Sequence, residues 1–189
     1  MKILNLYAGI GGNRKLWQDV DVTAIELNPQ IAKIYQDFFP NDLVIVADAH
    51  QYLLDHFKEF DFIWSSPPCP SHSGVNNFLH YQGIIRYPDM TLWQEIVFLK
   101  KWFEGKFCVE NVRSYYPPLW PPRELGRHYF WANFNIGDFP QPKDSIGKMW
   151  GDRQKASKKT LEERNMVNPH LGLHILNESK RNIQPELFI

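Results

Sequence analysis

Two cysteines occur in the 189-residue chain, and their settings differ. Cys108 lies inside the apolar run Phe107–Val109, as a buried structural thiol would. Cys69 instead follows Pro67-Pro68, precedes Pro70, and comes directly after the strand-like stretch Phe60–Trp64. Open α/β sheets do their chemistry at the carboxyl ends of their strands. A thiol held there on a proline-stiffened turn is placed to act as a nucleophile. A further strand-like run, Phe107–Val109, delivers Glu110 and Asn111 at its end.

A second group of residues suits ligand binding. Ala8-Gly9-Ile10-Gly11-Gly12 follows the strand-like Lys2–Tyr7 and precedes a helix-compatible segment from Asn13 to about Asp19. Such a turn brings backbone close to a nucleotide-type ligand at a helix N-terminus. It is not the dinucleotide fingerprint, because Arg14 stands where the third glycine belongs. Glu26 ends the second strand, where a carboxylate accepts hydrogen bonds from ribose hydroxyls, and Asp48 ends the third. Either carboxylate alone is equally a turn residue. Three such features on consecutive strands imply a ribose-bearing ligand without a phosphate clamp, which favours S-adenosylmethionine (SAM) over a dinucleotide.

The elements that must position these groups follow from periodicity. Strands are predicted over Lys2–Tyr7, Val22–Glu26, Leu43–Val46, Asp61–Trp64 and Phe107–Val109, with another over His128–Phe134. Asn28 and Pro29 form a helix start, and Ile31, Ile34, Tyr35 and Phe38 keep helical spacing. His50–Phe57 and Thr91–Glu104 are predicted helices, the latter with Leu92, Ile96, Leu99 and Phe103 on one face. Ser71–Tyr87 reads as a loop and Tyr115–Pro122 as a proline-rich break. Helical order returns at Pro169 and runs to about Leu176. Alternating strands and helices imply a Rossmann-like α/β fold: three layers around a mostly parallel sheet.

Composition bounds the rest. With 43% hydrophobic and 15% aromatic residues, the chain can bury a full core. No signal segment or long apolar span stands out, and two unrelated cysteines make no disulfide framework, so a cytoplasmic setting is expected. Zero net charge hides an asymmetry: residues 1–61 hold 5 Lys/Arg against 9 Asp/Glu, residues 62–189 hold 16 against 12. That surplus is compatible with a polyanionic partner. Three parts are expected: a catalytic, cofactor-binding unit over 1–136, a basic loop region over 137–165, and a helix and tail over 166–189 that complete the first.

In order and placement, Leu6–Gly12, Glu26, Asp48, Pro67-Pro68-Cys69 and Val109–Val112 resemble the motifs of the DNA cytosine-5 methyltransferases. The resemblance implies SAM as cofactor, held by Tyr7, Ala8, Gly9, Ile10, Gly11, Gly12, Glu26, Asp48, Ala49 and Pro68, with Leu27 packed on adenine. It implies Cys69 as nucleophile, Glu110 as the group contacting the target base, and Arg127 as a nearby cation that lowers the thiol pKa. Asn168 would cap a helix beside the cofactor. The implied partner is DNA, through a cytosine flipped out or already single-stranded.

The chain departs from the pattern in three places. Pro70 replaces the usual Gln, Leu125 stands at the first arginine position, and only 137–165 could occupy the place of a target-recognition domain. Ser66-Pro67-Pro68 also resembles the Ser-Pro-Pro of exocyclic-amine methyltransferases, which carry an aromatic where Cys69 stands. A subunit that needs a second protein or a homodimer, and an RNA substrate, remain further readings. His72 and His170 lack metal-ligand spacing.

Overall fold

The structure, a computed structural model, describes residues 1–140 and 166–181. Seven strands form one sheet: β1 (Lys2–Leu6), β2 (Asp21–Glu26), β3 (Leu43–Val46), β4 (Phe62–Ser65), β5 (Lys106–Val112), β6 (Arg123–Leu125) and β7 (His128–Ala132). Their order is β3-β2-β1-β4-β5-β7-β6. The first five are parallel, while β7 runs antiparallel to both β5 and β6. Strand order reverses between β1 and β4, the topological switch point where open α/β sheets bind ligands.

Side-chain alternation along the strands splits the core into two faces. Leu4, Leu6, Ile63, Phe107 and Val109 pack under α2 (Ala49–His56) and α4 (Thr91–Trp102). Ile3, Val22, Phe62, Trp64 and Cys108 pack under α5 (Pro169–Lys180) through Leu171, Ile175 and Leu176. Helix α1 (Pro29–Phe38) covers the same side of the sheet further along, its Tyr35 against Ala8 and Ala24. Residues 166–181 thus share one core with the first 140. Asn28 caps α1 by accepting from the Gln30 and Ile31 amides, with Pro29 in its first turn.

Three local expectations need correcting. Residues 13–19 form successive turns, not a helix. The Arg14 guanidinium grips both oxygens of buried Asp42 at 2.9 Å and reaches the Trp17 carbonyl at 2.7 Å. Trp17 is buried against Phe62 and Trp64, and the Asn13 amide donates to the Asn5 side chain at 2.9 Å. These long-range anchors outweigh the few local bonds a seven-residue helix could offer. Residues 71–87 are not all loop either: α3 spans Val75–Tyr81. The predicted strand over 128–134 ends at Ala132, and a hairpin partner, β6, precedes it. Most of the 137–165 region and the tail from 182 onward lie outside the described residues. Among the described residues, no helix is long and apolar enough to cross a membrane.

Candidate active site

The carboxyl ends of β1–β4 open onto a cleft of about 1110 Å³. Tyr7, Glu26, Leu27, Asp48, Ala49 and Pro68 line it. Each side chain is fixed by its backbone setting. Glu26 accepts the Gly9 amide on one oxygen at 3.0 Å and the Asn28 amide on the other at 2.9 Å. Each oxygen keeps a lone pair for a further donor, such as a ribose hydroxyl. Leu27 is 67% exposed at the cleft edge, which suits an apolar face waiting for a flat ring. Asp48 caps α2 by accepting the Gln51 amide at 2.8 Å.

The glycines divide by role. Gly9 adopts φ +54°, and nothing lies within 4 Å of where a Cβ would stand, so it leaves an open cradle. Cβ atoms on Gly11 and Gly12 would run into Tyr35, Phe39 and Met166. Gly11, at φ +75° and against two rings, is required by packing whatever the ligand, whereas at Gly12 the obstacle is the flexible Met166 side chain. Ala8 and Ile10 are buried, and Ala8 through Gly12 are not among the residues lining the cleft. Asn168 caps α5 by accepting the His170 amide at 2.9 Å, as expected, but does not line the cleft.

Sequence reasoning missed the network under the cleft floor. Glu95, on the inner face of α4, is 0% exposed. It accepts from the Tyr7 hydroxyl at 2.7 Å and the Ser65 hydroxyl at 2.5 Å, and pairs with His50 Nδ1 at 3.1 Å. One buried carboxylate therefore ties the glycine turn, the first turn of α2 and the strand that leads to Cys69. Burial and the Glu95 charge push the Tyr7 phenol far up, and the bond to Glu95 raises His50 above its ordinary value. A signal existed: Glu95 lies between Leu92 and Leu99 on the stripe of α4 that faces the core.

The turn that carries the cysteine and the strand that carries the glutamate run side by side. Strands β4 and β5 pair in parallel with Ser65 opposite Val109, so one step further puts Ser66 level with Glu110. Ser66 Oγ accepts from the Trp64 indole at 2.8 Å, and the Asn111 side-chain amide donates to the Pro67 carbonyl at 2.9 Å. Further on, Ser73 bridges Ser114, the Gly74 amide donates to the Arg113 carbonyl, and the Tyr115 amide to that of His72. His72 is buried, its Nδ1 2.6 Å from the Tyr116 hydroxyl. The cysteine turn and the Glu110 strand are latched along their length.

Burial holds the Glu110 carboxyl up at about 7, against smaller opposing effects of Ser66 and Arg127. Burial also raises the Cys69 thiol; the charge of Glu110 adds to this, and Arg127 only partly offsets it. Arg127 acts in the expected direction, but the thiol is not lowered overall, because desolvation and a neighbouring carboxylate outweigh one exposed cation. Arg127 sits on the β6–β7 turn after Gly126 (φ +63°), its carbonyl taking the Arg113 amide. His128, unremarked in the sequence, faces Glu110 with Nε2 3.8 Å from Oε1. Burial first, then Arg127, holds His128 down at about 4, so it is neutral beside Glu110.

This strand order and a carboxylate-edged cleft over β1–β3 define the Rossmann-like fold of SAM-dependent methyltransferases. A profile of the C-5 cytosine-specific DNA methylases matches residues 1–116, and the chain belongs to that family. Among curated protein sequences none matches significantly. Solved structures with a similar course include three from different organisms. The yhhF protein of Escherichia coli is 16% identical, over 69% of this chain and 73% of its own, with TM-score 0.46. DNMT2 of Spodoptera frugiperda is 24% identical, over 59% and 35%, TM-score 0.41. TrmN of Thermus thermophilus is 18% identical, over 66% and 38%, TM-score 0.40. SAM is the cofactor. The open cradle at Gly9, the spare lone pairs of Glu26 and the bare face of Leu27 fit it.

Proposed function

We propose that this methyltransferase acts on carbon 5 of cytosine in DNA, through a covalent bond between Cys69 and carbon 6 of the ring. One observation carries the reading: a thiol on the turn after β4 and a carboxyl group of raised pKa on the neighbouring strand β5 are latched side by side, and the charge of the carboxyl acts on the thiol. Carbon 5 of cytosine is too weak a nucleophile to take a methyl group unaided. When bound, SAM supplies an electrophilic methyl on its sulfonium.

In the proposed sequence the Cys69 sulfur adds to carbon 6 while Glu110, protonated, donates to ring nitrogen 3 and takes up the charge that develops there. The ring becomes enamine-like and carbon 5 accepts the methyl group. A base, such as a water molecule, then takes the carbon 5 proton; those electrons re-form the 5,6 double bond, the sulfur leaves carbon 6 as thiolate, and nitrogen 3 returns its proton to Glu110. Glu110 has a second effect. A proton on its carboxyl removes the negative charge that opposes thiolate formation, so delivery of the base and activation of the sulfur are coupled. Burial of both groups strengthens this coupling. Tyr7, Glu26, Leu27, Asp48, Ala49 and Pro68 would hold the cofactor, and Gly9 would let it approach the backbone.

Incubation with methyl-labelled SAM, DNA and RNA in parallel tests the proposal. Label at carbon 5 of deoxycytidine is the expected result; label on the exocyclic nitrogen, or only on RNA, would overturn it. Transfer that needs an added protein would favour the reading as a subunit of a larger enzyme.

A further inference from the structure

Helix α3, between Cys69 and α4, is amphipathic the wrong way round. Its inward positions are polar. Asn76 is fully buried and donates to the Pro70 carbonyl at 2.8 Å, and His80, one turn later, packs edge-on against Tyr115 at 5.0 Å. Its outward stripe is apolar: Val75, Phe78 and Tyr81, each three residues apart, are 53%, 61% and 91% exposed. The strand of chain that follows continues the pattern, with Ile85 63% and Tyr87 83% exposed. Side chains of this kind normally stabilise a fold by being buried. A contiguous apolar surface of this kind marks a binding site.

We infer that this surface is a stacking platform for an unpaired nucleic-acid strand on either side of the target base. The inference rests on the proposed cytosine chemistry at Cys69 and adds the state of the substrate. Four observations favour that occupant. The platform is continuous with the nucleophile, because α3 is tied to the Cys69 turn through Asn76 and to the Glu110 strand through the Ser73–Ser114 bridge. Nucleotides flanking a base held at Cys69 would then have this segment as a neighbour. Three of its side chains are aromatic, and flat rings stack on base faces regardless of sequence. No Asp or Glu occurs from residue 69 to 88, whereas Arg86 and His80 do, so nothing on the segment repels phosphate. Finally, a duplex hides base faces within its stack, so exposed aromatic rings gain nothing from it. An unpaired strand offers those faces and spares the cost of extruding the base.

Fluorescence anisotropy tests this with the full chain carrying Cys69→Ser. The probe is a labelled single strand of about 15 nucleotides with one cytosine, compared with its duplex and with the same strand holding thymine instead. The single strand should bind at least about tenfold tighter than the duplex, with or without the cytosine. Phe78→Ala, Tyr81→Ala and Tyr87→Ala together should weaken it by about 50-fold or more. Because all three residues are exposed, circular dichroism and thermal melting of the triple variant should match the parent. Duplex binding as tight as single-strand binding, or a triple variant that binds undiminished, would overturn the inference. So would sedimentation showing that the parent self-associates and the triple variant does not, since the surface would then serve a second copy. Failure of the cytosine chemistry reads differently: the strand would bind as described, yet the parent chain would place no label on carbon 5.

Discussion

The two halves of the sheet edge are built on opposite principles. Over β1–β3, ligand-facing groups are partly exposed, and backbone amides hold them: Glu26 by Gly9 and Asn28, Asp48 by Gln51. Over β4, β5 and β7 the reactive groups are desolvated, and their protonation is displaced by burial: Glu110 up, Cys69 up, His128 down. In the proposed reading the first half would recognise a ligand by geometry, at little cost in desolvation. The second makes ionisation costly, so that a proton or a base edge has large leverage. Glu95, buried between them, joins the two through Tyr7, His50 and Ser65.

Substitutions can break or sharpen that contrast. Cys69→Ser should lower methyl transfer by roughly 10⁴-fold or more while leaving SAM affinity nearly unchanged, checked by label incorporation and calorimetry. Glu110→Gln should cost about 10²- to 10³-fold in kcat and remove the alkaline limb of the rate profile centred near pH 7. Its effect on stability has the opposite sign. A carboxyl raised from 4.5 to about 7 gives a contribution that is full below pH 4.5 and lost as pH climbs through about 7. Melting temperatures of the parent should therefore fall relative to Glu110→Gln between pH 5 and 8. A parallel fall in both would contradict the desolvated half.

Glu95→Ala strips the shared acceptor from two hydroxyls and an imidazole, and should destabilise by about 3 kcal/mol in urea titration. Glu26→Ala should weaken SAM by about tenfold without shifting the pH dependence of transfer, because it lies on the geometric side. At the far end of the scale, Lys33→Ala breaks an exposed pair with Asp37 on α1 and should change stability by under about 0.5 kcal/mol.

The first five strands were legible because each is a short apolar run closed by Gly, Pro, Asn or Asp, and β1–β5 read off directly from that punctuation. Glu26 and Asp48 were legible for the same reason, at or just past strand ends, and Cys69 as the thiol on the turn after β4. Glu110, expected just past a strand over Phe107–Val109, lies inside β5, which runs on to Val112. What escaped depended on distance in space. Arg14 turns residues 13–19 away from helix through Asp42, far along the chain. Helix α3 hid because its apolar stripe faces solvent, so its periodicity carried no core signal. Ser66 and His128 acquire their places beside Glu110 only from the β4–β5 and β5–β7 registers.

Gly172 illustrates a different dependence. A side chain there would strike the main chain of Asn13, its carbonyl oxygen first at 2.3 Å. Helix α5 thus lies flush against the turn that follows β1, and that turn gains its backing from residues made late in synthesis. The turn after β1 is therefore fully packed only with the 169–180 helix docked against it. Replacing Gly172 with a bulkier residue should then act like a late assembly fault, and added SAM during refolding should partly rescue it.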